Sequence, residues 1–283
     1  MPFQTKMFPL IVSTLAIGLI SGCASTGITE AEPDHSRAWN LTHSVGMTDL
    51  EDAEVPKDQI PSGLGTATGL AIDVAYFMNS STLAMSFGDA FGLGLLGALT
   101  TTNKSHAERS SVIAWVPQDQ VEGPETVNIW LGNEIKDATM TAMNELGIEG
   151  EPEFHNELTD NFFNGTFTET KISGVKADGT ECGAYFKVYP EQVSELKTIP
   201  DFIAPNKKGY QVFAGDEMEY PRFSAYCLSD TSLDQYVEFV SAISKHLPDT
   251  VYFYTRQLEL ADQTIPPVVY DHGQALLFLT AEN

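Results

Sequence analysis

The sequence predicts an α+β fold with a mainly antiparallel sheet, because strand-like runs are numerous and the helices stand apart from them. Two amphipathic helices are indicated, over 124–146 and 232–247, each with apolar residues three or four positions apart. Between and after them lie short runs rich in β-branched and aromatic residues, separated by turn signals. Strands gathered into runs, instead of alternating singly with helices, favour antiparallel pairing.

The chain begins with a short apolar run behind a single positive charge. Lys6 is the only charged residue before position 23, and the apolar run covers 7–20 with Pro9 inside it. About fourteen residues, at a rise of 1.5 Å each, are fewer than the roughly 20 that cross a bilayer core. The layout is therefore that of an export signal that is removed.

Small residues lead from this run to a cysteine. The tetrapeptide Ile-Ser-Gly-Cys at 20–23 matches the lipobox, so the first 23 residues resemble the signal of bacterial lipoproteins. The resemblance implies cleavage after Gly22 and a lipid-modified Cys23, which would carry a diacylglyceryl thioether and an amide-linked palmitate-type chain. In that family an aspartate after the cysteine retains the protein in the inner membrane. Ala24 stands there instead, so we expect a lipid anchor in the outer membrane.

The charge balance excludes one class of partner. With 39 acidic and 15 basic residues, the formal net charge is −24, so nucleic acid would be repelled. The partners that we expect are the membrane, through the lipid on Cys23, and an envelope protein whose identity the sequence does not specify. A scattered acidic surface is also a common means of keeping a protein soluble.

A polar stretch separates the signal from the body. Residues 24–61 are rich in Ser, Thr, Asp, Glu and Pro, which predicts a polar tether over 23–61 and a single α+β domain over 62–283. The short apolar group at 39–50 would dock either on the body or on a partner.

The next stretch, 63–100, is apolar and rich in glycine. Glycines recur four apart, which allows close backbone approach and predicts a pair of apolar helices in a hairpin. Asp73 and Asp89 each interrupt one arm, which makes insertion of a lone hairpin into lipid costly and favours packing on the domain itself. A lipid-inserted oligomer is the alternative, and in layout the hairpin is similar to surface-exclusion lipoproteins. The G-x-G-x-x-G at 92–97 lacks the preceding strand that a dinucleotide site requires.

The elements of the body follow from local patterns. A strand is predicted at 111–117, and Gly147 ends the first amphipathic helix. An Asp-Gly pair at 178–179 predicts a hairpin between two strands. The second amphipathic helix is predicted to end at Pro248. The further predicted strands are 165–175, 182–189, 210–213, 223–228, 251–255, 268–270 and 275–280.

Two cysteines remain when Cys23 is assigned to lipid. Cys182 shares its strand parity with apolar neighbours, and so does Cys227, so both are expected to face the core. In an exported protein a disulfide between them is favoured, and free buried thiols are the alternative.

The sequence contains no nucleophile elbow, phosphate loop, zinc motif or clustered metal ligands. The pairs with acid/base potential are Asp271–His272 and His155 with Glu151 and Glu153. A polar turn is the favoured interpretation of each pair, so no catalytic, metal or cofactor site is assigned. The expected function is a non-catalytic binding or structural lipoprotein. A periplasmic enzyme that uses scattered carboxylates and the lipid-inserted oligomer are the alternatives.

Overall fold

The computed structural model describes residues 27–55, 71–73, 108–149, 157–161, 165–189, 192–212, 222–228, 233–260 and 263–281. Its helices are α1 (Arg37–Ser44), α2 (Val127–Glu145) and α3 (Leu233–Lys245). The first eight strands are β1 (Ala53–Val55), β2 (Ala71–Asp73), β3 (Ser111–Pro117), β4 (Ile148–Glu149), β5 (Glu157–Asn161), β6 (Gly165–Lys176), β7 (Glu181–Val188) and β8 (Val193–Thr198). The others are β9 (Lys208–Val212), β10 (Arg222–Leu228), β11 (Val251–Thr255), β12 (Leu258–Leu260), β13 (Gln263–Ile265), β14 (Val268–Asp271), β15 (Gln274–Leu277) and β16 (Leu279–Ala281).

One large antiparallel sheet forms the centre of the molecule. Its strands lie in the order β2-β15-β14-β11-β3-β10-β7-β6-β4, while β5 pairs with β6, and β9 pairs with both β3 and β8. The short strands β12 and β13 form a separate antiparallel pair. Within the described residues, the one parallel pair is β1 with β16. The predicted α+β fold with a mainly antiparallel sheet is confirmed.

The connections across the sheet give it a recognisable topology. β3 is antiparallel to β10, which is antiparallel to β7, so β3 and β7 run in the same direction with α2 between them in the chain. By the same reasoning β10 and β11 are parallel across β3 and are connected through α3. Two interleaved units of this kind make a split β-α-β arrangement. The other strands extend it at both edges.

Hydrophobic residues fill both faces of the central strands. On β3, Val112, Ala114 and Val116 pack beneath α2 and α3, whereas Ile113 and Trp115 point to the opposite face. The neighbouring strands β11, β14 and β15 alternate in the same way. Strands buried on both faces have nearly continuous apolar sequences, which explains the unbroken apolar run on β3.

Most of the predicted body elements are present. Both amphipathic helices form, as do the strands predicted around β3, β6, β7, β9, β10, β11 and β14. The predicted strand over 275–280 is divided at Phe278, because its last residues leave the main sheet and pair with β1. Strands β4, β5, β8, β12 and β13 were not predicted.

The glycine-rich hairpin predicted over 63–100 lies outside the described residues except at Ala71–Asp73. There the helix prediction is wrong, because these three residues form β2 and pair with β15. Asp73 lies opposite Gln274 in that pairing. Hydrogen bonds to the edge of a sheet, which a local pattern does not record, determine the conformation here.

The tether predicted over 23–61 is wrong where the structure describes it. Helix α1 and the turn after it are buried against the second face of the sheet, and β1 pairs with β16. The apolar group at 39–50 therefore docks on the body. The physical reason is burial, since a few apolar side chains find a large apolar surface already built by β3, β11, β14 and β15.

Candidate functional site

The site with the most specific contacts is the place where residues 27–55, the N-terminal segment, dock on the sheet. Helix α1 begins with Ser36, whose hydroxyl accepts a hydrogen bond from the Trp39 backbone N–H at 3.0 Å. The Asp52 carboxylate accepts bonds from the backbone N–H and the hydroxyl of Ser36. Asp52 also lies 3.1 Å from His35 Nδ1, and its side chain is only 4% exposed. This carboxylate therefore joins the end of the N-terminal segment to the start of α1.

The C-terminal end of α1 has a regular stop. Gly46, at φ +87°, donates its N–H to His43 O, and Met47 donates to Thr42 O at 3.1 Å. These two bonds form a Schellman motif, which satisfies carbonyls that the helix leaves open and favours glycine at the left-handed position. The chain then turns so that Met47 and Leu50 are buried under the sheet.

Three aromatic rings stack along one side of α1. Trp39 lies between His35 and His43, with ring centroids 3.8 and 3.6 Å apart and nearly parallel planes. Trp39 and His43, four residues apart in α1, lie on one side of the helix, and His35, just before its N-cap, extends the stack. Burial lowers the pKa of His43, whose Nδ1 lies 3.0 Å from Trp39 O. Burial of this ring therefore favours the neutral form of His43.

The apolar side of the N-terminal segment covers the second face of the sheet. Its members are Ala38, Leu41, Val45, Met47 and Leu50. They pack with Ile113, Trp115, Ile199, Ala204, Tyr252, Tyr254, Val269, Leu276 and Phe278. Burial of aliphatic and aromatic surface on this scale stabilises by several kcal/mol at about 25 cal/mol per Å².

Polar bonds fix the position of α1 within this apolar interface. Trp115 Nε1 donates to Ser44 Oγ at 3.2 Å, and Gln211 Nε2 donates to Ser44 O at 2.6 Å. Gln211 is in turn held by Ser194 Oγ, which accepts from its backbone N–H, and by Lys197 Nζ, which donates to its Oε1 at 3.0 Å. A buried polar group without a partner would be costly, so these bonds specify one register for the helix.

Charged residues connect the start of α1 to the hairpin between β14 and β15. Arg37 Nε donates to Asp271 Oδ2 at 2.9 Å. The other oxygen of Asp271 bonds His272 Nδ1, and His272 Nε2 lies 3.0 Å from Asp249 Oδ1. His272 and Gly273 form the two-residue turn with positive φ, which is the usual geometry of a tight hairpin.

The electrostatics of this cluster favour the charged forms of His272 and Asp271. The hydrogen bond to Asp271 raises the pKa of His272, against the opposing effect of burial. Burial pushes the pKa of Asp271 upward, but hydrogen bonds from His272 and Arg37 outweigh it and lower the pKa. Since carboxylates occupy both ring nitrogens of His272, the predicted Asp271–His272 pair forms part of an ion-pair cluster that holds α1.

The chain before α1 is also fixed. Ile28 N donates to His43 O at 3.1 Å. Asn40 Oδ1 accepts from Glu32 N at 2.7 Å, and Asn40 Nδ2 donates to Glu32 O at 3.1 Å. Gly27, at φ +75°, lies so close to the end of α1 that a Cβ would overlap the carbonyl oxygen of Ser44. Within the described residues, the docked chain therefore starts at Gly27.

The predicted disulfide is present. Cys182 on β7 and Cys227 on β10 lie directly opposite each other in the antiparallel register and are bonded through their sulfurs. Both belong to the core beneath α2 and α3, as the strand parity indicates. The bridge closes a chain segment with a sequence separation of 45 residues.

Several residues singled out from the sequence cannot be placed relative to this site. Cys23, Asp89, His155, Glu151 and Glu153 lie outside the described residues. The contacts that build the site come instead from Arg37, Asn40, Asp52, Gln211 and Asp249, none of which belongs to a recognisable motif. The one signal that would have indicated α1 is Ser36 as an N-cap, with Gly46 ten residues later as a stop.

Two kinds of site are absent from the part of the chain that the structure describes. No group of three or more His, Cys, Asp or Glu side chains there is arranged to hold a metal ion. No helix there is both long and apolar enough to cross a membrane. In comparisons with known proteins, no family model, no curated protein and no solved structure matches this chain.

Proposed function

We propose that the protein is a lipid-anchored component of the bacterial outer membrane, with a non-catalytic binding or structural role in the cell envelope. The lipobox at 20–23 supports attachment of acyl chains to Cys23. Three acyl chains, at about 0.8 kcal/mol per buried CH₂, exceed the two-signal threshold for stable membrane anchoring.

The observation that carries the proposal is the disulfide between Cys182 and Cys227. Disulfides persist in oxidising compartments such as the periplasm and the cell surface, and are rare in the cytosol. A bridged body behind an export signal that ends in a cysteine supports a protein that leaves the cytoplasm and stays at a membrane.

A non-catalytic role is supported by the way in which the polar side chains of the described residues are used. The histidine with acid/base potential, His272, has carboxylates on both ring nitrogens and contributes to the cluster that holds α1 through Arg37. We assign it to docking of the N-terminal segment. The acidic surface favours a basic or neutral partner surface over an anionic one.

Replacement of the anchoring residue tests the proposal. Because the thioether requires the sulfur of residue 23, Cys23→Ser is expected to abolish palmitate labelling and to release the protein from the outer-membrane fraction. The double variant Cys182→Ala/Cys227→Ala is the matched control and should keep both properties, since it leaves the lipid site intact.

Two outcomes would count against the proposal. If Cys23→Ser still sedimented with outer membranes and resisted high salt, the lipid would not be the principal anchor. If the unacylated protein eluted from size exclusion as a high-order oligomer that depended on detergent, the lipid-inserted oligomer would replace the binding role.

A further inference from the structure

The contacts at the start of the folded body limit how far it can be from its anchor. Gly27 lies against the end of α1, and Ile28 bonds the backbone of His43. Asn40 then holds both backbone groups of Glu32. Residues 27–55 are thus bound to the body, and the four steps between Cys23 and Gly27 connect them to the lipidated position.

Chain geometry sets the length of that connection. Four residues span at most about 14 Å when fully extended, at 3.3–3.6 Å each. A free flexible tether over 23–61 would have a root-mean-square length of about 35 Å and a much greater maximum reach. The two cases differ by more than the thickness of a lipid headgroup layer, so they are distinguishable by experiment.

We propose that the body is held directly at the bilayer, with the exposed stretch 29–34, next to Gly27, on the side that faces the phospholipid headgroups. This inference rests on the lipid attachment proposed above. The span of about 14 Å keeps Gly27 close to the bilayer, so the exposed residues next to it in the chain are held near the lipid as well. The connection to Cys23, and not a binding pocket, determines which face meets the membrane.

The charge of the segment indicates the kind of lipid surface that suits it. Glu30, Glu32 and Asp34 are exposed, and 27–34 contains no Lys or Arg. Anionic headgroups would repel these carboxylates at short range, with a screening length of about 8 Å at physiological ionic strength. The surface therefore fits zwitterionic phospholipid, with the acyl chains providing the affinity.

Two matched insertions in the full-length lipidated protein test the inference on supported phosphatidylcholine bilayers. Neutron reflectometry measures the water layer between the headgroups and the protein. Twenty Gly/Ser residues inserted between Ser25 and Thr26 should move the body outward by about 25 Å, the root-mean-square length of such a chain. The same insertion after Pro61 lengthens the chain downstream of the docked segment, so the body should stay at its native distance.

The outcomes separate this inference from the proposed function. A native water layer thicker than about 14 Å, or an equal displacement by both insertions, would overturn the short connection while the lipid anchor stood. Intact mass spectrometry of the native protein checks the anchor itself. Absence of acyl chains on Cys23 would overturn the proposed function and this inference with it. The native measurement requires no variant, so misfolding of an insertion does not affect it.

Discussion

His272 links its neighbours through two carboxylates, and its protonation connects docking of α1 to pH. Its pKa is raised mainly by the hydrogen bond to Asp271, so the folded protein holds the proton more tightly than the unfolded chain. The stabilisation that protonated His272 contributes to the folded protein is therefore fully present below the pKa of His272 in the unfolded chain, about 6.5. It is lost as pH rises through the pKa of His272 in the folded protein.

We expect His272→Asn to remove this pH dependence. Asparagine tolerates the positive φ of this turn position, so the variant loses the charge without adding strain. Urea unfolding of both proteins between pH 5 and 9 should show the largest difference in unfolding free energy below about pH 6.5, and a smaller one toward pH 9. His43, whose pKa is lowered, is present in both proteins, so its effect cancels in the difference. A difference that does not vary with pH would contradict the assignment.

Helix α1 shows at the scale of one element how a short segment becomes part of a core. It has eight residues, which is too short to be stable alone in water. Its cap at Ser36 and its stop at Gly46 are encoded locally, but most of its stabilisation comes from apolar contact with the sheet. The polar composition of the surrounding chain predicted a tether. Composition does not show that another part of the fold has an apolar face on which this segment can pack.

Leu41→Ala tests whether α1 belongs to the cooperative core. Leu41 is fully buried between α1 and the sheet, so its truncation should lower the unfolding free energy by about 2–5 kcal/mol. Leu196→Ala is the matched control, because Leu196 is 39% exposed on β8 and should change stability by less than about 0.5 kcal/mol. Urea denaturation of both variants measures the difference. Equal effects would mean that α1 is not held on the sheet in solution.

At the scale of the whole molecule, the disulfide joins two strands that pairing already brings together. Cys182 and Cys227 face the core between β7 and β10, so the unbridged chain retains the hydrogen bonds and apolar contacts of both strands. The bridge therefore acts mainly on the unfolded chain. It reduces the number of conformations that the residues between the two cysteines can adopt there, and so lowers the entropy of the unfolded state.

Removal of the bridge should weaken the protein without changing its fold. The double variant Cys182→Ala/Cys227→Ala is expected to lose about 2–5 kcal/mol of unfolding free energy, while its far-UV circular dichroism stays native-like. Wild-type protein in reductant is the control for the substitutions themselves. Mass spectrometry of the unreduced wild type should find the two cysteines linked, and complete alkylation of both in folded protein without reductant would rule the bridge out.

Local patterns alone determined a large part of this protein. The apolar spacing on α2 and α3, the β-branched runs of the central strands and the Asp-Gly turn at 178–179 each record which side of an element is buried. Strand parity did the same for Cys182 and Cys227. Their pairing could be predicted because they are the two cysteines that remain when Cys23 is assigned to lipid in an exported protein.

Only the tertiary structure decided which surfaces meet. Arg37 and Asp271 are 234 positions apart, and neither lies in a pattern that indicates the other. Ala71–Asp73 are a strand because β15 offers them an edge, against the helix that their own composition favours. The N-terminal segment is part of the body because the second face of the sheet is apolar. Contacts between segments that are far apart in the chain do not produce a periodic pattern in either segment. The sequence alone therefore did not predict these contacts.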